Sequence, residues 1–264
     1  MLEASRARGE RRTLVTTRHA ARADELRRSL DVGAVLLGDD DATRSATAAA
    51  LSAAVDSRTD VLVSFPPDAV SDAAYAHALR AVRRVVYISS TGVFGALSGA
   101  VDDTTDVDRN DARAVRRLEA EARWRSVGAT VLRAPAIYSV GSGLHQRLLA
   151  GTYRLPDDGA RRVSRVHVDD LAALALAALE RAAPGSTYVV GDQAPAPQRE
   201  VVEWLCARLA LPLPPAARSD ERAAPLISDR SIDGRRALHD LGVTLRYPSY
   251  REGYEAVLRA RQRV

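Results

Sequence analysis

Chemistry in this chain must come from hydroxyls, imidazoles, carboxylates and guanidiniums, because all 38 of its Lys+Arg residues are arginine. The absence of lysine excludes Schiff-base catalysis and the lysine of a phosphate loop. It also excludes any ammonium that could lower the pKa of a neighbouring tyrosine. Of the eight tyrosines only Tyr247 has an arginine four residues on, Arg251, and that pair reads as structural. The five histidines are scattered without ligand spacing, which argues against a metal site. Cys206, the single cysteine, sits in Val201-Val202-Glu203-Trp204-Leu205-Cys206 and reads as a core-facing thiol.

The setting for these groups is a chain of 264 residues, 46% hydrophobic and 27% charged, enough for one large domain or two closely joined lobes. Its pI is near 9.5, but the net charge is only +4 and arginines alternate with acids, as in Asp24-Glu25-Leu26-Arg27-Arg28. No nucleic-acid partner is therefore expected. Residues 1–12 carry four arginines and two glutamates with no apolar stretch, so no export signal is read there. The most apolar run, 171–179, is about half of what a bilayer needs and reads as a buried helix. A cytoplasmic protein with no membrane partner is the expectation.

From Arg12 onward, short β-branched runs alternate with alanine-rich stretches, the pattern of βαβ units and a parallel sheet. Strands are predicted at 13–16, 34–37, 61–65, 84–89 and 130–133, most of them apolar on both faces as a covered sheet requires. Helices are predicted at 20–30, 43–55, 71–82 and 111–125, with Gly33 and Gly128 as C-caps. Beyond Pro135 the pattern loosens. It tightens again into a helix at 169–182 with its aspartates at the N-terminus, a strand at 187–190, and helices at 201–209 and 254–261.

A doubly wound sheet that holds a dinucleotide carries glycines in the turn after its central strand, where backbone N–H groups approach the pyrophosphate. No such unit is found. Residues 1–8 read as the last turns of a helix, with Gly9 as its cap, and Gly141-Ser142-Gly143 lacks a third glycine and falls after the fifth strand. Two outcomes are expected: an upstream stretch of the polypeptide supplies the unit, or the sheet has rearranged so that its neighbours pair directly.

The run Val85-Val86-Tyr87-Ile88-Ser89-Ser90-Thr91-Gly92-Val93-Phe94-Gly95 resembles the strand and loop of the extended short-chain dehydrogenase/reductases, with Phe94 in place of a tyrosine. In order, Val131-Leu132-Arg133-Ala134-Pro135-Ala136-Ile137-Tyr138 and Arg165-Val166-His167-Val168-Asp169-Asp170 are similar to that superfamily's later motifs. Tyr188 to Asp192 and Leu241 to Gly253 resemble its closing segments, so the likeness spans nearly the whole chain, and it is nearest to the NAD-dependent epimerase/dehydratase group.

The resemblance implies an α/β fold, a Rossmann-like doubly wound parallel sheet with a small C-terminal substrate lobe. Residues 1–140 would form the nucleotide-binding region without its first strand, and 141–264 the substrate lobe, with 165–192 returning to the core. It implies NAD or NADP as cofactor, a small-molecule substrate, and a homodimer. Ser90 and Thr91 would polarise a substrate oxygen beside the nicotinamide, or only cap their loop. Thr17 and Arg18, Phe65 and Pro66, Ser89, Pro135 and Ile137 would line the cofactor; Arg18 could hold a 2′-phosphate or be an ordinary solvated arginine. His145, Arg147 and His167 are the candidate substrate contacts, although His167 also reads as a hydrogen-bonded packing residue.

In that superfamily a lysine four residues after a tyrosine brings its pKa of about 10 toward neutrality. Here the corresponding helix offers Arg113 and Arg117 at that spacing and no tyrosine. Three functions stay open: an oxidoreductase or epimerase acting on a hydroxyl or carbonyl, a non-catalytic nucleotide-binding or interaction protein, or an incomplete product without cofactor.

Overall fold

The computed structural model describes residues 13–30, 32–37, 40–156, 158–217 and 228–262. The expectations for residues 1–9 lie outside them. The chain begins with β1 (Leu14–Thr17), α1 (Ala20–Leu30), β2 (Gly33–Leu36), α2 (Asp41–Ala54), β3 (Asp60–Val63), α3 (Ala69–Ala78) and β4 (Arg84–Ser90). A 3-10 turn (Thr91–Phe94) and β5 (Gly99–Val101) precede α4 (Ala112–Arg125), β6 (Thr130–Ala134), β7 (Ala136–Tyr138) and α5 (Leu144–Leu149). There follow β8 (Arg162–Val163), β9 (Arg165–His167), α6 (Val168–Arg181), β10 (Thr187–Val189), β11 (Ala196–Pro197) and α7 (Gln198–Leu209). The last elements are β12 (Arg230–Ile232), α8 (Arg235–Leu241) and α9 (Tyr250–Arg261).

The parallel strands β10, β6, β4 and β3 lie side by side in that order. Their side chains alternate between two cores, as the period of two demands. Val85, Tyr87 and Val131 point to one face, where they meet Leu51 of α2, Tyr75 and Ala76 of α3, and Ala120 and Trp124 of α4. Val86, Leu132 and Tyr188 point to the other, where Leu171, Leu174 and Ala178 of α6 cover them. The indole N–H of Trp124, buried in the first core, donates to Asp72 at 2.9 Å, so its polar atom is satisfied. Asp68 and Asp111 cap α3 and α4 by accepting from backbone N–H groups of their first turns.

The sheet is interrupted between β1 and β3. β1 pairs in parallel with β2, but these two form a sheet of their own, and β3 has β4 as its sole partner among the described residues. Direct pairing across the missing position, one of the two expected outcomes, is thus overturned: the flanking strands stay apart. Leu14 and Leu36, in strands that a covered sheet would bury, are 39% and 44% exposed. Contacts with α2 and the core beneath it tie this pair to the body. Thr47 of α2 donates its hydroxyl to the Leu36 carbonyl at 2.8 Å, and Leu37 packs on the core that holds Leu51.

Gly33, expected as a helix cap, instead opens β2, its N–H donating to the Thr13 carbonyl at 3.1 Å. Gly128 does close α4, with φ at +80°, as its role in a left-handed turn requires. The third core gathers Tyr138, Leu205, Cys206, Tyr250 and Tyr254, with Tyr138 and Tyr254 stacked at 4.4 Å. Cys206 is a buried free thiol there, its pKa raised by that burial. Among the described residues no helix is long and apolar enough to cross a membrane.

Candidate active site

The strand ends of β4 and β6 define the site, because side chains there stand at the carboxyl edge of the sheet. Along β4 the alternation sends Ser89 inward and Ser90 toward the edge. Ser89 is buried, and its Oγ donates to Glu121 Oε1 at 2.7 Å. Glu121 of α4 is fully buried and also accepts both arms of Arg133 from β6, at 3.0 and 2.9 Å, and Arg125 at 2.8 Å. Arg125 reaches on to Thr187 Oγ1 of β10 at 2.8 Å. A carboxylate shared by two guanidiniums and a hydroxyl therefore locks β4, α4, β6 and β10 beneath the site. Ser89, expected against the cofactor, belongs to this lock.

Ser90 Oγ accepts the Gly92 N–H at 3.1 Å and so caps the turn Thr91–Phe94. That acceptor role leaves the hydrogen of its own hydroxyl free to donate. The turn is fixed from below by Arg230 of β12, whose guanidinium donates to the carbonyls of Thr91, Gly95 and Leu97 at 2.5, 2.6 and 3.2 Å. Phe94 carries two cations near its ring: Arg230 lies 5.6 Å and Arg133 5.4 Å from the centroid. Burial lowers the pKa of Arg230. No sequence pattern marks this residue, since its partners are carbonyls far away in the chain.

Arg117 of α4 brings a half-buried guanidinium to the same turn. A Cβ on Gly92 would lie 3.0 Å from Arg117 Nε and 3.4 Å from Ser90 Oγ, so bare glycine backbone is what lets the two groups share this point. Six of the tyrosines are made harder to ionise, the reverse of what an activated acid or base needs. Tyr87, Tyr138, Tyr153, Tyr247, Tyr250 and Tyr254 all have raised pKa values, burial being the largest cause in each. Arg117 acts electrostatically to lower that of Tyr87, against the stronger effect of burial.

Of the other residues expected to line a cofactor, Ile137 is exposed just beyond β6, with half-buried Pro135 before it. Phe65 is half-buried, edge-on to Tyr75 and Trp124 at 6.0 and 6.1 Å, and Pro66 beside it is exposed. At the end of β1, Thr17 Oγ1 accepts from the His19 N–H at 3.2 Å. Arg18 lies close enough to help lower the pKa of Asp68, whose main stabiliser is the Ser71 N–H at the N-terminus of α3.

The expected substrate contacts take other places. His167 is buried and caps α6, Nδ1 accepting from the Asp169 N–H at 3.2 Å, while its ring meets Tyr247 at 4.2 Å and Tyr138 at 5.2 Å. The helix thus starts on histidine and not on the aspartates, and Asp170 instead accepts the N–H groups of Arg246 and Tyr247 at 2.7 and 3.0 Å. His145 is completely buried, Nε2 donating to the Val140 carbonyl at 3.1 Å. Burial lowers the pKa of both histidines. Arg147 lies over the Tyr153 ring at 4.9 Å. None of the three is brought to Ser90 by a contact of its own.

The fold is Rossmann-like α/β, its parallel sheet split at one position. No protein-family profile matches the chain. A conserved protein of unknown function from Silicibacter pomeroyi superposes with a TM-score of 0.76 at 29% identity, over 98% of this chain and 94% of that one. The UDP-glucuronic acid 4-epimerase of Bacillus cereus, solved with NAD, shares the fold at a TM-score of 0.73 and 15% identity, over 98% of this chain and 95% of that one. Among curated proteins, a Streptomyces 3-diazoavenalumate denitrifying reductase is 32% identical over 155 residues, 53% of this chain and 51% of that protein. The chain spans between about half and three fifths of the length of the curated relatives it matches.

Proposed function

We propose that this chain is an NAD(P)-binding oxidoreductase or epimerase of the short-chain dehydrogenase/reductase type, acting on a small molecule at the carboxyl ends of β4 and β6. The observation that carries this reading is the strand-end hydroxyl of Ser90, on a turn that a dedicated buried arginine, Arg230, holds by three carbonyls. A loop without a task at its tip has no need of that fixation.

The residues present fit the two ends of a dinucleotide better than its middle. Ser90, Thr91, Pro135 and Ile137 stand where a nicotinamide ring would lie, and Thr17, Arg18, Phe65 and Pro66 stand at the adenosine side. No glycine turn lies between β1 and β3 among the described residues to hold the diphosphate. A bound nicotinamide would supply or accept hydride. Ser90 would donate its hydrogen bond to a substrate oxygen at this edge, and Thr91 would wall the same edge. With no tyrosine and lysine pair to relay protons, the reactions best suited are those that need no proton in the hydride step. Hydride delivered to a cationic, electron-poor carbon with loss of a neutral leaving group is one. The Streptomyces relative, named as a denitrifying reductase, supports this class. A cytoplasmic homodimer belongs to the same proposal, and sedimentation of the purified protein checks the oligomeric part.

The split between β1 and β3 favours a second reading, a protein that keeps the sheet without turnover. Loss of NADH or NADPH absorbance at 340 nm, dependent on an added electron-poor or carbonyl substrate, separates the two. Consumption above the substrate-free rate is expected; saturable coenzyme binding with no consumption across a broad panel would favour the second.

A further inference from the structure

Arg117 is a half-buried cation that has neither a hydrogen bond nor an ion pair among the described residues. The arginines later in α4 and in β6 are paired. Arg125 and Arg133 are both committed to Glu121, and Arg123 pairs with Glu119. Arg113, one turn before Arg117 on the same side of α4, is exposed and likewise has no acidic partner for its side chain, and its backbone N–H is taken up by Asp111. Two like charges at i and i+4 disfavour each other, so a helix that keeps them together beside a strand end gains by having an anion between or above them. The guanidinium is seated against Gly92, next to Ser90 Oγ, and the Ser90 hydrogen is uncommitted.

We propose that Arg117, Ser90 and Arg113 form a subsite for a carboxylate carried by the substrate, with Gly92 as the space that admits the guanidinium. A guanidinium presents two parallel N–H groups that match the two oxygens of a carboxylate, and the serine hydroxyl adds a third donor to one of them. The role is positioning and specificity: an arginine stays charged at any working pH and so cannot relay a proton. The inference rests on the reading of the β4 edge as a substrate site, and it is independent of whether the dinucleotide binds.

The test uses ligand-observed NMR titration of the purified chain with benzoate and its neutral isostere benzamide. Saturable benzoate binding is expected, with benzamide weaker by about tenfold or more. Arg117→Met, which keeps the aliphatic stem, should lose benzoate affinity by about tenfold, whereas Arg116→Met on the exposed neighbour should not change it. Arg117→Lys should fall between, because a point charge lacks the fork. If Arg117→Met fails to fold by circular dichroism, Gly92→Ala, which displaces the guanidinium, replaces it with the same expected loss. Benzoate binding equal in wild type and Arg117→Met, or no preference over benzamide, overturns the proposal.

NADH titrations of the same variants separate the two readings. Arg117-dependent benzoate binding with a flat NADH response keeps the subsite and defeats the cofactor reading. Loss of NADH binding in Arg117→Met with benzoate binding intact overturns the subsite.

Discussion

Glu121 has no exposure, yet it carries a charge that Arg133, Arg125 and Ser89 together balance. Removing one member leaves the others ionised or unpaired in a dry place, and such losses cost about 3–5 kcal/mol. Glu121→Gln is therefore expected to lower the unfolding free energy by about 3 kcal/mol in a urea denaturation series. A loss below about 1 kcal/mol would mean that the lock contributes little net stability. Asp192 makes a second residue-scale prediction. It is buried, its Oδ1 has no hydrogen-bond partner, and burial pushes its pKa up to about 7 despite the opposing Arg165 cation. A carboxyl whose folded pKa exceeds its ordinary 3.8 stabilises the fold most at low pH. That stability is lost as pH rises from about 4 through about 7. Asp192→Asn should remove this slope, so that the variant gains about 2–4 kcal/mol on wild type between pH 4 and pH 8. Parallel stability curves over that range would contradict the assignment.

At the scale of elements, the long strand β4 is legible in the sequence because Val85, Val86, Tyr87 and Ile88 are apolar on both faces, as a doubly covered strand must be. The same logic recovers β6 and the helix α6. Among the strands it misses are β5 and β12, three residues each, which meet across about half of the chain and contain Gly99 and Arg230 in place of a run of β-branched residues. Arg230, which holds the site's turn, is invisible for that reason. A histidine near a loop looks available until packing is known: Tyr254 closes over His145, and His167 takes the hydrogen-bonded packing place read for it, against Tyr247. Arg113 and Arg117 were legible in spacing, but the seat at Gly92 was not. The pair of β1 and β2, with exposed leucines and no partner across the gap, should open more easily than β4 and β6. Hydrogen exchange read by mass spectrometry should show residues 14–17 and 33–36 exchanging about a hundredfold faster or more than 85–89 and 130–134, a difference of about 3 kcal/mol in opening. Equal protection would mean that the two sheets act as one unit.

For the whole molecule, the architecture places strand ends from both sides of the gap along one edge. Arg18, just past β1, acts electrostatically on Asp68 at the start of α3, and Ser90 and Ile137 mark the far end. The distribution of function follows from this. In the proposed crevice the ends of a dinucleotide would have walls, and among the described residues no glycine turn offers its diphosphate backbone donors. Weak binding that depends on the ends is the physical consequence, and a 2′-phosphate would be felt through Arg18.

The most direct test titrates the chain with NADH and NADPH and follows coenzyme fluorescence. Saturable binding is expected with dissociation constants on the order of 0.1–1 mM, about 4–5.5 kcal/mol. Arg18→Ala should weaken NADPH and spare NADH. A flat response to both coenzymes would contradict the account of this edge as a dinucleotide crevice.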